Sequence, residues 1–127
     1  MLEVRTQVDA ATKVIRQRCD ATPAVGIILG SGLGGLADRI NLSAALDYSE
    51  IPHFPHSTAI GHEGRLLLGQ LNGQSVVAMQ GRFHLYEGYT AAEVTLPVRV
   101  MRALGAELLV VSNAAGGLDP DFRAGDI

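Results

Sequence analysis

Apolar positions near the amino terminus recur at helical spacing. Val4, Val8, Ala11, Ile15 and Cys19 fall on one face, with Arg5, Asp9, Lys13 and Arg16 on the other. That pattern predicts an amphipathic helix from about Val4 to Cys19, its charges on a solvated face. After Pro23 the pattern becomes a continuous apolar run, Ala24-Val25-Gly26-Ile27-Ile28-Leu29, the length of a buried strand. The glycine-rich stretch Gly30-Ser31-Gly32-Leu33-Gly34-Gly35 then leads into a short helical piece ending near Ile40. Residues 41–61, with Pro52 and Pro55, predict irregular chain. Arg65 to Leu71 and Gln74 to Gln80 read as strands joined by a type I′ turn at Asn72-Gly73. Thr90 is the expected N-cap of a helix that runs to Leu104 and stops at Gly105. Glu107 to Ser112, carrying Leu108-Leu109-Val110-Val111, reads as another buried strand.

This order predicts an α/β fold, a mixed β-sheet flanked by helices, in a single domain over residues 1–127. Ligands in open α/β sheets bind outside the carboxyl ends of the strands. The loops that start at Gly30, Gly81 and Asn113 are therefore expected to converge on one site.

Composition narrows the function classes. With 47% hydrophobic and 18% charged residues, the 127-residue chain has the makeup of a well-cored domain. A net charge of −3 and the lack of a basic run argue against a nucleic-acid partner. No apolar run reaches the roughly 18–20 residues of a membrane span, and no signal-peptide core is visible. Cys19 is the only cysteine. It reads as a small buried hydrophobe, and the want of a disulfide framework suits a cytoplasmic setting.

Chemistry concentrates in Gly81-Arg82-Phe83-His84-Leu85-Tyr86-Glu87-Gly88-Tyr89. A guanidinium, an imidazole, two phenols and a carboxylate crowd this stretch. Arg and His supply charged donors and Tyr supplies a donor on a flat apolar face, a set that suits an oxyanion held beside a sugar.

The glycine stretch matches G-x-G-x-x-G at Gly30, Gly32 and Gly35, with Glu50 at the distance of a ribose-binding acid. A dinucleotide fold also needs a long crossover helix back to a parallel strand. The short helix and the proline-bearing segment after it do not supply one. Anion binding by backbone N–H groups and the Ser31 hydroxyl is favoured, with a plain tight turn as the alternative. No Lys follows as in a P-loop, so nucleoside triphosphate hydrolysis is not supported.

His62 sits in Gly61-His62-Glu63-Gly64, where a ligand contact and a solvent-facing turn both stay open. His53, His56 and His62 are irregularly spaced, and no metal site is expected. Asn113-Ala114-Ala115-Gly116-Gly117 is nearly bare of side chains. Either helices pack closely there, or free N–H groups face a phosphate or a flat purine.

Taken in order, these segments resemble the trimeric purine nucleoside phosphorylases, the family with the nucleoside phosphorylase fold. The matching motifs are Ile28-Leu29-Gly30-Ser31-Gly32-Leu33-Gly34, Gly61-His62-Glu63-Gly64, Gly81-Arg82-Phe83-His84-Leu85-Tyr86-Glu87-Gly88 and Ser112-Asn113-Ala114-Ala115-Gly116-Gly117. The likeness runs from about residue 20 onward and covers the family's amino-terminal half, so the chain reads as truncated.

The resemblance implies catalytic roles for Arg82, His84 and His62. Phosphate would be held by Ser31, His62, Arg82, His84 and the Ala114 amide. Tyr86 would contact the ribose, and Ala114, Ala115 and Gly116 would border the nucleoside. Glu87, which would orient His84, and Asn113 would support these groups. The implied reaction is phosphorolysis of purine (deoxy)ribonucleosides, with inorganic phosphate as co-substrate and no cofactor or metal. A homotrimer is implied for the full-length protein. The residues that would read the base have no counterpart here, and apolar strand edges are expected to be exposed. A non-catalytic phosphate- or nucleoside-binding fragment is the alternative.

Overall fold

The computed structural model of the chain describes residues 2–30, 33–56 and 64–127. Among the described residues, five strands form one sheet in the order β2-β3-β4-β1-β5. They span Val25–Ile28 (β1), Asn41–Asp47 (β2), Arg65–Leu71 (β3), Gln74–Gln80 (β4) and Leu108–Val111 (β5). The β2–β3 and β3–β4 pairs are antiparallel, whereas β1 runs parallel to both β4 and β5. The expected mixed sheet is therefore present. Asn72 and Gly73 close the β3–β4 hairpin at φ of 49° and 80°, as a type I′ turn requires.

Side chains alternate across this sheet with the strand period of two. Leu66, Leu68, Val77 and Met79 face one side, where they pack with Ala11 and Ile15 of α1 (Leu2–Arg18). Leu96, Val100, Met101 and Leu104 of α3 (Ala91–Leu104) complete that layer. Ile27, Leu29, Leu67, Val76 and Ala78 face the other side with Ala37 and Ile40. Among the described residues, only the short helix α2 (Gly34–Ala37) lies between β1 and β2 in the chain. Thr90 caps α3 as expected: its hydroxyl accepts from the Glu93 N–H at 3.3 Å, and the Glu93 carboxylate accepts from the Thr90 N–H at 2.7 Å.

Three expectations need correction. The segment from residue 41 is not irregular throughout, because Asn41–Asp47 forms edge strand β2 with a bulge between Leu42 and Ala44. Its alanines and polar residues have weak strand preference, and pairing with β3 overrides that. Arg16 is not merely solvated. It donates to the Ala103 and Leu104 carbonyls at 3.3 and 3.4 Å, where a cation meets the carboxyl end of α3.

The third correction concerns β5, which was expected to be buried. Leu108, Leu109, Val110 and Val111 are 58, 41, 45 and 55% exposed. In the described sheet β5 pairs with β1 alone, on the opposite edge from β2. An exposed apolar edge of this kind can template intermolecular pairing, and a Lys placed on it opposes that pairing. The purified 127-residue chain is expected to self-associate as its concentration rises, and Val110→Lys to shift it toward monomer. Sedimentation velocity across a concentration series decides the matter, and identical profiles for the two proteins would refute it.

Candidate active site

β1, β4 and β5 run parallel, so the chain leaves all three at the same edge of the sheet. The β1 strand sits between the other two: the chain leaves β1 toward the β2 edge, and leaves β4 in the opposite direction, past β1 to β5. Such a reversal opens a crevice at the strand ends.

Ser112, just past β5, draws the three exits together. Its Oγ accepts from the Gly30 N–H at 3.1 Å, beyond the end of β1. Its carbonyl accepts from Arg82 Nη1 at 2.9 Å, beyond the end of β4. The approach at Gly30 is close: a Cβ there would lie 2.6 Å from the Ser112 carbonyl oxygen. The expected convergence of the Gly30, Gly81 and Asn113 loops is thus carried by hydrogen bonds.

The polar loop leaves β4 through Gly81, whose φ of 97° belongs to the left-handed region that favours glycine. Phe83 then turns inward and is 9% exposed. Its ring centroid lies 5.0 Å from that of Tyr48 and 5.9 Å from that of Tyr89. This aromatic anchor leaves Arg82 and His84 half-buried on either side of it. The Tyr48 hydroxyl donates to the Gly81 carbonyl at the base of the loop.

A second group forms within the loop itself. The His84 and Tyr86 rings stack with centroids 4.6 Å apart and planes at 16°. Glu87 Oε2 accepts from the His84 N–H at 2.7 Å and lies 3.4 Å from His84 Nδ1. Glu87 therefore touches the imidazole it was expected to orient. Tyr86 is 83% exposed, open to a ligand on its free side.

Asn113 donates from Nδ2 to the Ala114 carbonyl at 3.3 Å, and Ala114, Ala115 and Gly116 follow with their surfaces exposed. The expected site residues Ser31 and His62 lie outside the described residues. Among the described residues, no three His, Cys, Asp or Glu side chains cluster as metal ligands do.

Three residues central to this geometry carried no role in the sequence reading. Ser112 was visible only as the first residue of a small-residue motif. Phe83 was visible only as an apolar break in a polar loop. Tyr48 gave no sequence signal, because its partner at Gly81 is 33 residues away.

The sequence pattern of the phosphorylase superfamily matches residues 24–127. The chain belongs to the phosphorylase superfamily. Within that superfamily it is 55% identical over 124 residues to purine nucleoside phosphorylase 1 of Bacillus subtilis, covering 98% of this chain and 46% of the relative. It is 56% identical over 115 residues to the purine nucleoside phosphorylase of Bos taurus, covering 91% and 40%. The crystal structure of isoform 2 of the Schistosoma mansoni enzyme, in complex with cytosine and ribose-1-phosphate, superposes with a TM-score of 0.89 at 43% identity. That superposition covers 95% of this chain and 42% of the other. A Schistosoma mansoni purine nucleoside phosphorylase in complex with inosine matches with a TM-score of 0.85 at 45% identity, over 95% and 42% of the two chains. This superfamily member thus spans less than half the length of the relatives it matches.

Among the described residues, no helix is long and apolar enough to cross a membrane.

Proposed function

We propose that this chain carries the phosphate and ribose wall of a purine nucleoside phosphorylase. The observation that supports the reading best is the hydrogen-bonded convergence of Gly30, Arg82 and Ser112 at the strand ends. A guanidinium and a glycine backbone drawn together at the strand ends are groups that suit an inorganic phosphate, which supports this reading.

Arg82 and His84 hold the phosphate, with Ser31, His62 and the Ala114 amide completing its shell. Tyr86 lies against the ribose, with Ala115 and Gly116 beside the nucleoside. Glu87 fixes the His84 ring, and Asn113 supports the Ala114 turn. A phosphate oxygen bonds to the anomeric carbon as the bond to the purine breaks, and the base leaves with the electron pair. The sugar passes through an oxocarbenium-like state that the phosphate dianion stabilises. Catalysis is positioning and electrostatics, without a covalent enzyme intermediate and without a cofactor. The names of the matched relatives, and the inosine and ribose-1-phosphate bound in the matched structures, support a purine nucleoside as co-substrate. A homotrimer working in cytoplasmic purine salvage completes this reading.

A second reading, phosphate binding without turnover, is favoured by the chain's 46% coverage of the Bacillus subtilis relative. Two measurements on the purified 127-residue chain separate the readings: titration with inorganic phosphate, and phosphate-dependent release of hypoxanthine from inosine. Saturable phosphate binding is expected in either case, and release of hypoxanthine assigns phosphorolysis to this chain alone. A chain that shows neither sinks both readings.

A further inference from the structure

Tyr48 is 2% exposed and sits at the start of the turn Tyr48–Glu50 that follows β2. Its surroundings are apolar: ring centroids lie 5.7 Å away at Phe54 and 5.0 Å away at Phe83. Gly64 closes the pocket so tightly that a Cβ there would lie 2.5 Å from the Tyr48 ring. The Tyr48 N–H also donates to the Gly64 carbonyl at 3.0 Å. The ring is therefore held on several sides and has little freedom to turn.

From that seat the hydroxyl donates to the Gly81 carbonyl, and the ring presses on Phe83. Gly81 and Phe83 flank Arg82 in the chain. One side chain thus fixes the backbone before Arg82 by a hydrogen bond and the backbone after it by ring packing. Arg82 in turn reaches the Ser112 carbonyl at 2.9 Å. A phenylalanine would fill the same pocket equally well. The hydroxyl is the part that packing alone does not require, because burying it demands a partner.

We infer that Tyr48 is a positioning residue for phosphate binding, acting through its hydroxyl on Gly81 to aim Arg82 into the crevice. This rests on the phosphate-binding reading above. The test compares Tyr48→Phe with the unaltered 127-residue chain by amide hydrogen exchange and by titration with inorganic phosphate. Exchange at Arg82, Phe83 and His84 is expected to accelerate roughly tenfold or more, while Val77 and Ala78 inside the sheet stay unchanged. The phosphate dissociation constant is expected to rise by about the same factor.

Unchanged loop exchange overturns the inference, as does an acceleration shared equally by the sheet, which would mark Tyr48 as a core residue only. Unchanged phosphate affinity in a variant with a loosened loop overturns it as well. Should the unaltered chain fail to bind phosphate, the functional reading falls instead. Loop exchange then decides alone whether the hydroxyl fixes Arg82.

Discussion

Arg82→Ala is expected to weaken binding of inorganic phosphate to the 127-residue chain by about 10- to 150-fold. That range follows from the roughly 1.5–3 kcal/mol carried by a hydrogen bond to a charged group. A guanidinium has five N–H donors in a fixed fork. One donor of Arg82 is spent on the Ser112 carbonyl at 2.9 Å, which holds the fork at the strand ends. The remaining donors can meet two phosphate oxygens at once, which no other described side chain of the loop matches. Alanine removes the charge, the fork and the tie to Ser112 together. The last loss leaves a half-buried carbonyl short of a donor, at a cost to stability of about 1–3 kcal/mol. Urea unfolding of the variant, run beside the titration, separates that cost from the loss of affinity.

Arg82→Lys separates the two contributions. It keeps a point charge and loses the planar fork, so it is expected to recover only part of the lost affinity. Isothermal titration with phosphate checks both variants. If Arg82→Ala binds phosphate as the unaltered chain does, Arg82 has no part in the anion site.

Much of this arrangement was legible from local pattern. The run Ala24–Leu29 and the Asn72-Gly73 turn announced β1 and the β3–β4 hairpin, because strand burial and turn chemistry are properties of neighbouring residues. The convergence of loops was legible too, since parallel strands must release the chain at one edge. Strand β2 was not legible: only Leu46 within it is fully buried, and Leu42 stays 48% exposed. Its identity comes from the partner strand and not from its own sequence.

The site shows the same division. Arg82, His84, Tyr86 and Glu87 stood out because their chemistry is dense in one stretch, and local contacts do join the last three. The link from Gly30 to Ser112 spans 82 residues, and no spacing rule reaches that far. The sequence could show that Gly30 is a glycine after a strand. It could not show what approaches it.

That approach makes Gly30→Ala the second decisive variant. A Cβ at Gly30 would lie 2.6 Å from the Ser112 carbonyl oxygen, 3.1 Å from its carbonyl carbon and 3.3 Å from Asn113 Cα. All three are backbone atoms at the end of a paired strand, so no side chain can swing aside. Either β5 shifts away or the exit from β1 bends. Both movements stretch the Gly30 N–H bond to Ser112 Oγ and the Arg82 bond to the Ser112 carbonyl. Overpacking of this kind costs about 1–3 kcal/mol, and each weakened hydrogen bond adds about 1 kcal/mol. A loss of about 3–5 kcal/mol is therefore expected, together with weaker phosphate binding, measured by urea unfolding and by titration.

Gly35→Ala supplies the control within the same glycine motif. A Cβ at Gly35 meets nothing within 4 Å, and the residue lies in α2, where alanine is the better helix former. Its stability is expected to stay within about 0.5 kcal/mol of the unaltered chain. If the two variants lose stability equally, the motif is a generic flexible turn. If only Gly30→Ala does, the glycine is there because β5 and the serine that follows it must come within reach of β1, and the junction of the three strand ends depends on it.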